Sequence, residues 1–144
     1  MNPVKVAEKR FEDGFNCAQA VFSAFSVKDG VPEELALKAA AAFGAGIARR
    51  AEACGAVTGA LMAIGLRYGA TDAGDQTSKE KTYALAQEIM RRFESLHGSI
   101  ECRKLLGIDL STPEGMAEAK KKKVHSTVCP AFVRDAARLV VELP

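Results

Sequence analysis

Four cysteines carry most of the chemistry that this chain's residue types allow: Cys17, Cys54, Cys102 and Cys129. They are separated by 37, 48 and 27 residues. No two form a CxxC pair and no CxxCH is present. Spacing therefore gives no zinc-finger, thioredoxin or haem-attachment signal. Local context says more. Cys17 follows Asn16, a helix-cap residue with Gln19 three positions on. Cys54 opens the stretch CGAVTGALMAIGLRYG, Cys102 lies three residues after Ser99, and Cys129 precedes Pro130. All four are thus expected in the first turn of a helix. There the unpaired N–H groups and the dipole favour a thiolate, and thiolates bind metals or attack disulfides. The competing reading is four unrelated buried thiols, since free cysteine often packs as a small hydrophobe.

The element that must position them is the stretch from Cys54 to Gly69. From Ala56 to Leu66 every residue except Thr58 is apolar or small. A helix without a polar face belongs in a core or a membrane. The thirteen residues from Cys54 to Leu66 fall short of the roughly 20 a bilayer requires. We therefore expect a buried central helix. Gly55 and Gly59 share one face of it and admit a close backbone neighbour. Arg49 and Arg50 precede it. They either support a Cys54 thiolate, making Cys54 the most acidic of the four, or pair with Glu52.

Around this helix the periodicity predicts others. Val4–Asp13 is amphipathic, and Cys17–Phe25 is mostly apolar. A helix opened by Pro32 runs to Phe43, ended by Gly44 and Gly46. The longest spans Ser78–His97, with Tyr83, Ala86, Ile89, Met90, Phe93 and Leu96 or His97 inward and Gly98 as cap. A short helix covers Ile100–Leu106, and Thr112-Pro113 opens a segment running into Lys120–Lys123. The last helix is Ala131–Leu143, with Phe132, Ala136, Leu139, Val140 and Leu143 inward. Nothing alternates with period two. The expected fold is an all-α, single-domain bundle, residues 1–144, of about six to eight helices.

Composition bounds the function. The chain has 144 residues, 48% hydrophobic and 26% charged, with net charge +2. That suits one globular domain and gives no sign of a nucleic-acid binder. The first residues lack an apolar signal segment, and no stretch is long enough to span a membrane. The expected location is cytoplasmic, where four cysteines serve better as metal ligands or redox thiols than as structural disulfides. His97 is expected at a helix end for its dipole, and His125, four residues before Cys129, is expected to lie apart from the cysteine site, reaching it only on the less favoured reading. The run Lys120–Lys123 reads as a solvated helix end. No Ser-His-Asp set, phosphate-binding glycine loop or HExxH is present.

Four ordered cysteines, with CGAVTG at Cys54–Gly59, FNCAQAVFSAF around Cys17, Cys102 before KLLG and Cys129 before Pro130, resemble the redox-active protein family named for its C_GCAxxG_C_C pattern. The preceding GAGIARR and following ALMAIGLRYG are similar too, so the resemblance covers essentially the whole chain. It implies a redox or metal site at Cys17, Cys54, Cys102 and Cys129 and does not choose between them. Three functions follow as expectations. In the first, the four cysteines converge on a metal centre, an iron–sulfur cluster or zinc, for electron transfer or redox sensing. In the second, the same cysteines are redox thiols, two of which cycle between dithiol and disulfide. In the third, the protein is a helical interaction module with structural cysteines. The expected partner is a redox protein, and a homo-oligomer is possible on this reading.

Overall fold

The computed structural model describes residues 1–143; Pro144, the last residue of the expected domain, lies outside them. The chain is all-α. Nine helices form among the described residues: α1 Pro3–Glu12, α2 Cys17–Ser26, α3 Glu33–Ala40, α4 Gly55–Tyr68, α5 Gln76–His97, α6 Cys102–Leu106, α7 Pro113–Lys122, α8 Val124–Thr127 and α9 Cys129–Glu142. A 3₁₀ turn, Ala41–Phe43, extends α3. Among the described residues no helix is long and apolar enough to cross a membrane.

Helix α4 is the buried centre. Gly55, Ala56, Val57, Gly59, Ala60, Ala63 and Ile64 are all inaccessible on it. It packs most extensively against α2, and α5 and α9 cover other sides. The glycines explain how close α2 comes. A Cβ added to Gly59 would lie 2.7 Å from the Ala18 carbonyl oxygen, and one on Gly55 would lie 3.1 Å from Ala18 N. Only a residue without a side chain fits such a contact.

The cap of α2 starts that helix where the sequence places it. Asn16 accepts from the Gln19 amide at 2.9 Å while the Gln19 side chain accepts from the Asn16 amide at 3.0 Å, a complete capping box. Asn16 also donates through Nδ2 to the Ala41 carbonyl at 3.0 Å, tying the start of α2 to the end of α3. Removing the cap should lower stability by about 1–2 kcal/mol, so Asn16→Ala is expected to shift the urea midpoint downward without changing the slope.

The structure corrects part of the α5 stripe. Ile89 and Phe93 are buried, but Tyr83 and Leu96 are 56% and 58% exposed. Helix α5 packs chiefly against α4 and α9, so a narrow face is covered and residues one position off it stay in solvent. Its start also differs: Asp75, not Ser78, lies at the cap and accepts from the Ser78 amide at 3.1 Å.

Between α3 and α4 the backbone turns left-handed. Ala45, Gly46, Ile47, Ala48 and Arg49 all have positive φ, as does Ala51. Ala45 lies at φ 56°, ψ 42° and Ala48 at φ 51°, ψ 41°, values of a left-handed helical turn. Each such non-glycine residue costs about 1–2 kcal/mol. Internal bonds offset this: Ala48 N–H to the Gly44 carbonyl at 2.9 Å, Arg50 N–H to Ile47 at 3.0 Å and Glu52 N–H to Gly46 at 2.8 Å. The sequence reading of GAGIARR as a simple lead-in did not foresee this turn.

Candidate redox site

Each cysteine occupies a helix start, although the short helix begins at Cys102 rather than at Ile100, with Glu101 and not Ser99 in the cap position. Cys17, Cys102 and Cys129 are the first residues of α2, α6 and α9, and Cys54 immediately precedes α4. Those four starts meet. Cys17, Cys54, Cys102 and Cys129 all line one cavity of about 480 Å³. All four are free thiols; Cys54 and Cys102 are buried, Cys17 and Cys129 half-buried.

Backbone pairing brings Cys54 to Cys102. Ala53 and Glu101 form an isolated antiparallel bridge. Cys54 N–H donates to the Ile100 carbonyl at 2.7 Å, and Cys102 N–H donates to the Glu52 carbonyl at 2.6 Å. In an extended pair successive side chains alternate, so Cys54 and Cys102 point to the face opposite Ala53 and Glu101. Arg103 secures this arrangement. Its Nε donates to the Ala51 carbonyl at 3.2 Å and its Nη2 to the Arg50 carbonyl at 3.2 Å, with Glu52 3.8 Å away.

Two glycines give the cysteines their room. A Cβ on Gly46 would lie 2.7 Å from Cys102 Cβ, and a Cβ on Gly55 would lie 3.1 Å from Cys17 Cβ. The left-handed turn therefore has a role in the site: it lays Gly46 against Cys102 and brings Ala45 and Arg49 to the cavity wall.

Cys17 and Cys129 are neighbours on the cavity wall, and the interaction of their thiols splits their acidities. The interaction with Cys17 holds the Cys129 thiol below its ordinary pKa against the opposing effect of burial. The same interaction, and then burial, push Cys17 well up. Burial pushes Cys54 up to about 12, although the amides of Ala56 and Val57 at the open helix start favour its thiolate. Burial also raises Cys102 to about 11, the nearby Arg103 charge opposing it. Cys54 is therefore not the most acidic thiol, contrary to the expectation from its helix start. Desolvation of a buried thiolate outweighs a few aligned amides. Cys129 takes that place because it has a thiol neighbour. Glu52 pairs with Arg103 instead of Arg49 or Arg50.

Of the two histidines, His125 lines the cavity, stacked on Phe11 with ring centres 4.2 Å apart. His97 lies elsewhere, its Nε2 2.9 Å from Asp135 Oδ2 and its ring against Phe93 and Phe132. The lysine run divides: Lys122 pairs with Glu118 at 2.8 Å, while Lys120 and Lys123 line the cavity. Arg103 and Gly46 escaped sequence reasoning. The only sequence signals for them were adjacency to Cys102 and a place in GAGIARR.

Among the described residues no three His, Cys, Asp or Glu side chains form a group that could hold a metal ion. A family model described as "Putative redox-active protein (C_GCAxxG_C_C)" matches residues 15–143. No curated protein and no solved structure matches the chain.

Proposed function

The chain belongs to the C_GCAxxG_C_C redox-active family, and on that premise we propose that it is a thiol–disulfide redox protein whose working pair is Cys17 and Cys129. The observation that carries this reading is that Cys17 and Cys129 open two helices onto one cavity as interacting thiols, the Cys129 thiol lowered and the Cys17 thiol raised. As residues both are half-buried, whereas Cys54 and Cys102 are buried. The Cys129 thiolate attacks one sulfur of a disulfide-bearing partner. A mixed disulfide forms, and the first partner sulfur leaves as a thiolate that takes a proton from solvent. Cys17, no longer bonded to a thiolate, loses its proton to solvent and attacks Cys129 Sγ. The Cys17–Cys129 disulfide forms and the second partner thiolate leaves. The protein gives up two electrons, and the partner disulfide accepts them. Cys54 and Cys102 stay protonated at neutral pH and shape the pocket. A compartment that keeps thiols reduced, the cytoplasm on this reading, suits such a pair.

The test is equilibration of the reduced protein against mixtures of reduced and oxidised dithiothreitol, followed by acid quenching, alkylation and peptide mapping. The expected product is a single Cys17–Cys129 disulfide, absent from Cys129→Ser. Four free thiols across the whole range would sink the proposal.

A four-thiolate metal centre, iron–sulfur cluster or zinc, is the second reading. What favours it is that four helix starts place all four cysteines on one cavity. What weighs against a single ion is the lack of a three-ligand group among the described residues. Cys17, Cys54, Cys102 and Cys129 would hold the centre, which would supply electron transfer. Anaerobic purification with iron, zinc and sulfide counting separates this reading from the first.

A further inference from the structure

The cavity around the thiols has features that thiol chemistry alone does not use. Leu105, Leu106, Leu110, Met116 and Phe132 line it, so its wall is largely apolar. Its charged lining residues are Arg49, Lys120 and Lys123, with no Asp or Glu among them. These three cations are exposed, whereas the cysteines are buried or half-buried. Positive charge therefore stands on the solvent side and sulfur on the inner side. Among the described residues none of the three forms an ion pair, although Lys122 and Arg103 nearby do. A second pocket adjoins through Arg49, Leu110 and Met116 and adds Arg50, Arg103 and the Ser111–Thr112 turn. Cavities of about 300–1,000 Å³ hold small molecules, and this one measures about 480 Å³.

We infer, resting on the dithiol reading above, that the substrate is a small organic disulfide with an apolar skeleton and an anionic end. Its apolar part fills the leucine-lined wall and presents sulfur to Cys129. Its anion sits against Lys120, Lys123 and Arg49, which lack carboxylate partners of their own. The exchange is the one already written: Cys129 Sγ bonds to one substrate sulfur, the substrate S–S bond breaks, and Cys17 completes the two-electron reduction. A polar peptide disulfide such as oxidised glutathione matches the cations but not the wall.

Octanoate has the proposed apolar skeleton and anion without sulfur, and octanamide is its neutral counterpart. Calorimetric titration of the fully reduced protein should show saturable octanoate binding, at least about ten-fold tighter than octanamide, which is what one charged contact contributes. In a Lys120→Gln/Lys123→Gln protein that ratio should fall toward one. Octanoate should also slow, saturably, the reaction of the thiols with dithiobis(nitrobenzoate), an aromatic anionic disulfide. The rate preference for that reagent over neutral dithiodipyridine should shrink in the double variant. Equal affinity for octanoate and octanamide, or saturable binding of neither, overturns the inference. Because octanoate binding involves no thiol, that outcome leaves the Cys17–Cys129 pair standing. Octanoate binding without a Cys17–Cys129 disulfide would keep the ligand class and remove the redox step.

Discussion

Gly59→Leu is expected to lower the melting temperature by about 10 °C or more, the scale of a 3 kcal/mol overpacking penalty in a domain of this size. The reason is what its side chain would meet. A Cβ at Gly59 stands 2.7 Å from the Ala18 carbonyl oxygen, 3.1 Å from Ala18 Cα and 3.2 Å from Val21 Cβ. Two of these are backbone atoms of α2, which cannot rotate away as a side chain would. Helix α2 is also held on its other sides by α1 and α3, so it has no direction in which to retreat. Gly59→Ala should fall between, because the better helix propensity of alanine, about 1 kcal/mol, offsets part of the clash. Gly65 provides the opposite sign on the same helix. Nothing lies within 4 Å of a Cβ built there, so Gly65→Ala should raise stability by about 0.5–1 kcal/mol. Thermal unfolding followed by far-ultraviolet circular dichroism measures all three. A Gly59→Leu protein melting with the wild type would mean that α2 and α4 are not in this contact.

That contact was legible in the sequence because glycine spacing has one meaning inside an apolar helix. Gly55 and Gly59 are four apart, and a close neighbour is what two such glycines admit. Asn16 with Gln19, Gly98 and Thr112-Pro113 were legible for the same kind of reason, since each bears a local rule that tertiary packing did not override. Tyr83 was misplaced, and of Leu96 or His97 it is His97 that turns inward, because periodicity shows that a helix has an inner face but not how wide its neighbours make it. The left-handed turn at Ala45–Arg49 was not legible at all. Alanine, isoleucine and arginine have no preference for positive φ, and beside its internal bonds the turn depends on contacts distant in sequence, with Arg103 bonding the Arg50 and Ala51 carbonyls that follow it. The cysteines divide in the same way. Their place at helix starts was a local property and readable. That Cys17 faces Cys129 and that Cys54 is paired through the backbone to Cys102 depend on how the helices assemble. The acidity order depends in turn on that assembly, because burial sets Cys54 and a thiol neighbour sets Cys129.

Cys17→Ala should slow alkylation of Cys129 at neutral pH and speed it in alkali. On the dithiol reading the Cys129 thiolate accepts a hydrogen bond from the Cys17 thiol, and its pKa is held below the ordinary thiol value by that neighbour. Alanine removes the donor and leaves burial, which acts in the other direction, so the Cys129 pKa must rise. Below both pKa values the thiolate fraction falls about ten-fold for each unit of that rise. A more basic thiolate is a better nucleophile, which recovers part of the loss, so the net slowing is about three-fold per unit. Above both pKa values the thiolate is fully formed in either protein. The variant is then the faster, and the two rate profiles cross. Cys17→Ser should shift the profile less, because a hydroxyl can still donate to the thiolate. The measurement is the rate of iodoacetamide labelling at Cys129 against pH, read by mass spectrometry of the Cys129 peptide in metal-free, reduced protein. Superimposable profiles for the wild type and Cys17→Ala would show that the two thiols do not share a hydrogen bond, and the working pair would have to be sought elsewhere among the four.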